Sequence, residues 1–385
     1  MTDILRYAIA GTGMMGQEHM RNLALMPDAR VTAIFEPDAA MRAQALALAP
    51  HARAVESFSA LLDEEVDALV VASPNHHHAA QLAEVAARGR PLPVLMEKPL
   101  YADPDEAAAL DALAARLAAP VWVAMEYRYM PAIAALIEQA EAATGGVRML
   151  TIREHRFPFL PKVGDWNRFN ARTGGTLVEK CCHFFDLMRL ILGAEPVRVA
   201  ASAGQAVNHR GELYEGRAPD VWDHGYVLVD FEGGARAMLE LCMFAEGSRF
   251  QEGISAVGPS GKIEARVPGP TRFWPAEMGA PPVAEVEISP RAPKGPRLVE
   301  IPVDPLLLAA GDHNGATYYQ HLRFAEAVRG RGPVEVTLRD GARAVEIGHA
   351  AQAAAESGET VWLDGRGGGG AVPTARALPA SALTH

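Results

Sequence analysis

Three glycines, Gly11-x-Gly13-x-x-Gly16, stand between an apolar run at residues 5–10 and a helical pattern at 14–26. No other segment narrows the choice of fold as far. Gly11 permits a tight turn out of a strand, Gly13 lets a pyrophosphate approach the backbone, and Gly16 lets helix and strand pack closely. Thr12, Met14 and Met15 share that turn, where the unpaired N–H groups of a helix start attract phosphate. The sequence beyond continues in kind. Short apolar runs at 31–35, 68–72, 93–96 and 121–125 alternate with helical patterns at 38–48, 77–88 and 104–117, the signature of a parallel sheet with crossover helices. Asp103 before Pro104 reads as an N-cap with proline at the first helical position.

After Tyr127 the pattern changes. A helix over 131–143 leads to a strand over 147–156, and a second helix over 177–192 ends at Gly193. Strands at 226–231 and 236–243 form a hairpin across Glu232-Gly233-Gly234, and the proline-rich stretch 267–305 reads as an excursion on the sheet edge. Helices at 318–329 and 340–356 and a strand at 359–363 follow. The expected fold class is α/β. Residues 1–126 are expected to form one domain on a parallel sheet with crossover helices, and residues 127–364 a second domain with a mostly antiparallel sheet. Residues 365–385, with four successive glycines, are expected to be a flexible tail or an arm on another subunit.

A net charge of −11 argues against a nucleic-acid or anionic-membrane partner, since both need clustered Lys and Arg. Three cysteines give no even disulfide framework and fit a reducing compartment. With no leader-like or membrane-length apolar stretch, the expectation is a soluble cytoplasmic protein.

Glu97-Lys98-Pro99 follows the apolar run 93–96. Open α/β sheets bind ligands outside the carboxyl ends of their strands, so Lys98 sets a cation where the reactive end of a dinucleotide would lie. Glu36, twenty residues after Gly16, ends the second strand, where a carboxylate accepts both adenosine ribose hydroxyls and repels a 2′-phosphate. That favours NAD; the alternative is a surface acid in a turn, and Arg42 lies nearby. Ser73 and Asn75 follow the 68–72 strand and reach the same crevice, with a helix N-cap as the other role for Asn75. In His76-His77-His78, successive side chains diverge around a helix, so one of them, His78, is taken to face the cofactor and no metal is expected.

On the 177–192 helix, Glu179, His183 and Asp186 fall on one face, opposite Leu177, Cys181, Phe184, Met188 and Ile191. A histidine with acids one turn away on each side is a candidate base; a solvated polar face is the plain alternative. Adjacent Cys181 and Cys182 lack the spacing of a zinc site. Arg153 and His155 share a strand face, and Lys162, Asp165, Trp166 and Arg168 follow. These could line a sugar pocket with Trp166 stacking on a ring, or simply form an exposed strand and loop.

The glycine turn, Glu97-Lys98-Pro99, Tyr127-Arg128-Tyr129-Met130-Pro131, and Gly174-Gly175 leading to Glu179, His183 and Asp186 together resemble the Gfo/Idh/MocA family, named for glucose–fructose oxidoreductase, inositol 2-dehydrogenase and rhizopine catabolism. The likeness spans roughly residues 4 to 364. It implies that Lys98 and His183 flank a carbon exchanging hydride with nicotinamide. Glu97 and Arg128 join the expected cofactor contacts, and Lys98, Arg153, His155, Trp166, Arg168, Glu179 and His183 are the expected substrate contacts. The likeness also implies an N-terminal Rossmann domain over 1–126 and a C-terminal α/β domain over 127–364 whose large, mostly antiparallel open sheet mediates a homo-oligomer, a dimer or tetramer. Glu179 departs from the family's usual aspartate, and Cys182 from its usual small residue. The expected activity is an NAD-dependent dehydrogenase of a sugar, polyol or sugar acid. A redox-neutral glycoside-cleaving enzyme and a non-catalytic NAD-binding sensor are the alternatives.

Overall fold

The computed structural model describes residues 4–363; the expected tail at 365–385 lies outside the described residues. A six-stranded parallel sheet comes first. Its strands are β1 (Leu5–Ala10), β2 (Ala29–Phe35), β3 (Arg53–Val55), β4 (Ala68–Val71), β5 (Val94–Met96) and β6 (Val121–Val123), in the order β3-β2-β1-β4-β5-β6. The helices between them are α1 (Met14–Ala24), α2 (Ala39–Leu48), α3 (Phe58–Leu62), α4 (His78–Arg88) and α5 (Ala107–Ala114). Both faces are covered, so β4, β5 and β6 are buried along their whole length. The order reverses between β1 and β4, which opens a ligand crevice at their carboxyl ends. Asp103 caps a short 3₁₀ turn, Pro104–Glu106, that precedes α5.

The second unit begins with α6 (Pro131–Thr144) and carries a nine-stranded mixed sheet. Its strands are β7 (Met149–His155), β8 (Pro196–Gly204), β9 (His224–Phe231), β10 (Arg236–Cys242), β11 (Glu252–Gly258), β12 (Gly261–Val267), β13 (Ala284–Pro290), β14 (Arg297–Ile301) and β15 (Val361–Trp362). The order is β14-β13-β12-β11-β7-β10-β9-β8-β15, antiparallel except where β10 runs parallel to β7. The expected edge excursion contains the hairpin β13–β14, which extends the sheet. Along β7, Leu150, Ile152 and Glu154 are buried while Met149 and Arg153 are exposed, the alternation of a sheet with one covered face. Tyr226 and Leu228 are exposed on the same outer face as Met149.

The helix expected over 177–192 is broken. After α7 (Asn170–Thr173), α8 (Thr176–Glu179) and α9 (Cys182–Leu192) meet at Lys180-Cys181, and Gly193 ends α9 with φ +57°. Every residue from Thr176 to Met188 is buried, so the alternative of a solvated polar face falls away. The chain then returns to the first unit through α10 (Pro305–Ala310), α11 (Ala316–Val328) and α12 (Leu338–Ser357). Thr317 donates to Glu18 of α1 at 2.8 Å, His321 meets His19 at 2.9 Å, and Val123 N–H bonds Val336 O at 3.0 Å. Among the described residues no helix is long and apolar enough to cross a membrane.

Candidate active site

The glycine turn has the steric form its spacing predicts. Gly11 has φ +82°, and a side chain there would run into the Ala72–Ser73 backbone. A Cβ at Gly16 would overlap the Gly11 carbonyl, so the close strand–helix approach depends on glycine. Gly13 faces open space, and no side chain caps α1, which leaves its first N–H groups for a ligand. These features fit a dinucleotide pyrophosphate.

Glu36 reaches the turn: its carboxylate accepts the Thr12 N–H at 2.6 Å and the Asp38 N–H at 3.0 Å. Arg42 is occupied with backbone carbonyls of Glu36 and Pro37, at 2.7 and 3.3 Å. Asn75 opens a 3₁₀ turn (Asn75–His77) and does not cap α4; its buried amide nitrogen has no protein partner. Ser73 donates to Gln81.

Lys98 stands beyond β5 and donates to the Glu179 carbonyl at 3.0 Å. Burial opposes its charge, but Cys182, Glu179, Glu126 and Glu97 around it more than offset that, and its pKa is raised. Lys98 therefore stays a cation. Glu179 pairs through Oε1 with Lys162 at 3.3 Å, while Oε2 is buried with no protein partner. The Lys162 ammonium also lies 4.3 Å over the Trp166 ring, and Trp166 meets His76 edge-on at 6.2 Å.

His183 lies on α9, its ring stacked on Tyr127 at 4.2 Å and 6°. Burial, with Lys98 and Lys180 nearby, pushes its pKa well down, so the ring is neutral. Nε2 faces Glu126 Oε1 at 3.6 Å; Nδ1 is buried without a protein partner. Lys98, Glu179, Lys162 and His183 thus bring a cation, a carboxylate–ammonium pair and a neutral base to one place.

Several expected contacts fall elsewhere. Arg153 and His155 sit on the outer face of the second sheet, where His155 pairs with Glu240 at 2.8 Å. Strand parity decides this, because Glu154 takes the inward position and pairs with Lys180 at 2.9 Å. Arg128 makes a bidentate pair with Asp186 and donates to Glu335 O at 3.0 Å, so it is spoken for. Asp186 accordingly serves Arg128, and the break after Glu179 removes the expected Glu179–His183–Asp186 face. Arg168 binds Glu212 and Tyr214, each at 3.3 Å, and anchors the loop that carries them. His78 is fully enclosed, its ring nitrogens 2.8 and 2.9 Å from Pro99 O and Ser73 O. Glu97 turns inward to His19 at 2.9 Å and the Lys98 N–H at 3.1 Å. Both support the Lys98 turn and do not face the crevice.

Sequence reasoning missed Glu126, Tyr127, Lys180 and His313. Lys180 donates to the Tyr127 hydroxyl at 2.6 Å. His313 pairs with Glu18 at 2.7 Å and lies 3.8 Å from Glu126. Glu126 comes three residues after the end of β6, so the rule that singles out Lys98 also applied to it.

Residues 5–125 match the oxidoreductase family, NAD-binding Rossmann fold, and residues 140–363 match the oxidoreductase family, C-terminal alpha/beta domain. The chain is 28% identical to the rhizopine catabolism protein MocA of Rhizobium meliloti, over 71% of this chain and 80% of that one. It is 31% identical to an inositol 2-dehydrogenase of Leifsonia xyli subsp. xyli, over 68% of this chain and 75% of the relative. Its fold is similar to levoglucosan dehydrogenase in complex with NADH and levoglucosan, with TM-score 0.75, 21% identity, and 94% and 99% of the two chains covered. With both units matched over most of its length, the chain belongs to the Gfo/Idh/MocA oxidoreductase family.

Proposed function

We propose that this protein is an NAD-dependent dehydrogenase acting on a secondary hydroxyl of a sugar, polyol or sugar derivative. The observation that carries the reading is the pairing of the Lys98 cation with the neutral, buried imidazole of His183 beside the crevice of an NAD-binding fold. The turn at Gly11–Gly16, Glu36 and Asn75 would hold the dinucleotide, which when bound supplies the hydride acceptor. Glu36 beside the turn, with Arg42 tied to backbone, supports NAD over NADP.

His183 takes the hydroxyl proton at Nδ1, which has no hydrogen-bond partner, while Nε2 faces Glu126 Oε1 at 3.6 Å. Lys98 stabilises the negative charge that develops on the substrate oxygen. Glu179 Oε2, buried and unpartnered, accepts a neighbouring substrate hydroxyl, while Lys162 holds its other oxygen. Trp166 holds the Lys162 ammonium over its ring and so steadies the partner of Glu179. A polyhydroxylated substrate suits this set of donors and acceptors, and the inositol 2-dehydrogenase relative supports that class. A cytoplasmic homo-oligomer is part of the same reading, supported by the exposed apolar residues Met149, Tyr226 and Leu228 on the open sheet face.

The test is a screen of polyols, sugars and glycosides with NAD, following NADH and sugar products together. Net NADH with a free alcohol supports the dehydrogenase. Glycoside cleavage without net NADH replaces it with transient oxidation and elimination. Turnover that survives in both Lys98→Ala and His183→Ala refutes the site.

A further inference from the structure

A general base of this kind works best with an acid behind it, which fixes the tautomer and stabilises the charged ring. The two acids expected from sequence are committed elsewhere: Asp186 to Arg128, and Glu179 to Lys162. Among the described residues the carboxylate that faces the His183 ring is Glu126. Glu126 is 1% exposed, and neither of its buried oxygens has a hydrogen-bond partner. Its Oε1 lies between two imidazoles, 3.6 Å from His183 Nε2 and 3.8 Å from His313 Nε2. An unpartnered buried carboxylate is costly, so its place between two rings calls for a role.

We propose that Glu126 is the positioning carboxylate of His183. It holds the Nε2–H tautomer, leaves Nδ1 to take the substrate proton, and stabilises the imidazolium that results. The proposal rests on the dehydrogenase reading above. In the oxidation the substrate O–H proton passes to His183 Nδ1, the C–H electron pair leaves as hydride to NAD, and the carbonyl forms. The ring gains one positive charge, which the Glu126 anion neutralises without itself taking the proton. The 3.6 Å separation shortens as the ring charges, as is common for catalytic contacts seen without substrate.

Glu126 must be ionised to act in this way, and its surroundings set where that occurs. Burial and the Glu97 charge raise its pKa to about 7, while His313 and Lys98 pull it down. His313 remains cationic because Glu18 and Glu126 outweigh its burial and lift its pKa to about 9. Lys180, Arg156 and Tyr127 also face the two rings. Activity should therefore fall on the acid side as Glu126 takes up a proton.

The experiment compares wild type, Glu126→Gln, His313→Gln and His183→Ala. It records kcat and KM against pH with an alcohol found in the screen. It also records ¹⁵N chemical shifts of His183 in cofactor-free protein, which report its tautomer. Glu126→Gln should lower kcat by about ten- to a hundredfold, leave both KM values nearly unchanged, abolish the acid limb and mix the tautomers. His313→Gln keeps the carboxylate but removes a neighbouring cation, so the acid limb should move to higher pH. Wild-type kcat, limb and tautomer in Glu126→Gln overturn the proposal while His183→Ala still abolishes turnover. An unmoved limb in His313→Gln also overturns it. Turnover that persists in His183→Ala instead refutes the function on which the proposal rests.

Discussion

Replacing Glu36 by Gln separates the cost of holding the glycine turn from the cost of holding a ribose. In the free protein the carboxylate accepts N–H bonds from Thr12 and Asp38 at 2.6 and 3.0 Å. Those bonds exist with or without cofactor, so weakening them affects the fold and largely cancels from binding. Ribose contacts exist only in the complex. Hydrogen bonds to a charged acceptor contribute roughly 1.5–3 kcal/mol, against about 1 kcal/mol for neutral pairs. Losing the charge across two ribose hydroxyls should thus weaken NAD by about 1–3 kcal/mol, or roughly five- to 150-fold. NADP should weaken less or bind better, because the repulsion of its 2′-phosphate is gone. Calorimetric titration of both cofactors measures the ratio, and a melting scan reports the separate loss of turn stability. An NAD affinity within about twofold of wild type, with an unchanged NAD/NADP ratio, would refute the ribose role of Glu36.

The remaining predictions concern packing and charge. Gly16→Ala forces a Cβ against the Gly11 carbonyl and should lower the melting temperature and abolish measurable NAD binding by the same titration. Arg128→Met strands Asp186 in the core and should cost about 3–5 kcal/mol in denaturant unfolding, with NAD affinity unchanged at temperatures where the variant is folded. Glu126 and Glu252 are carboxyls whose pKa values burial raises to about 7, helped by Glu97 and Glu154 respectively. A raised folded-state value means stability that is fully present below the unfolded pKa, near 4.5, and lost as pH rises through about 7. Lowered values at the buried His78, His183, His321 and His349 act the other way, so the readout is a difference: between pH 5 and pH 8 the melting temperature of wild type should fall relative to that of Glu126→Gln.

The first half of the chain was legible because local signals there agree. Short apolar runs, a glycine turn and helical patterns all demand one parallel sheet, and its carboxyl edge then points to Lys98. Only the short β3 and α3 escaped, since three and five residues carry little periodicity. The second half misled where a charge is buried. Alternation along β7 was visible, but its parity was not: Glu154 faces inward because Lys180, from the break between α8 and α9, neutralises it there. That same break undid the helical wheel through Glu179, His183 and Asp186. Glu126 and His313 come together only because the chain returns through α11 to pack on α1. No spacing in the sequence encodes that meeting.

Hydride transfer between a secondary carbinol carbon and NAD, with Lys98 and His183 on either side of the reacting centre, is the central claim. Its most direct test uses a substrate deuterated at that carbon, with mass spectrometry of the nicotinamide and the sugar product after turnover. The account predicts deuterium in NADH, none retained at the oxidised carbon, and no transfer by Lys98→Ala or His183→Ala. Deuterium returned to the product with no labelled NADH accumulating, or transfer undiminished in both variants, would contradict it.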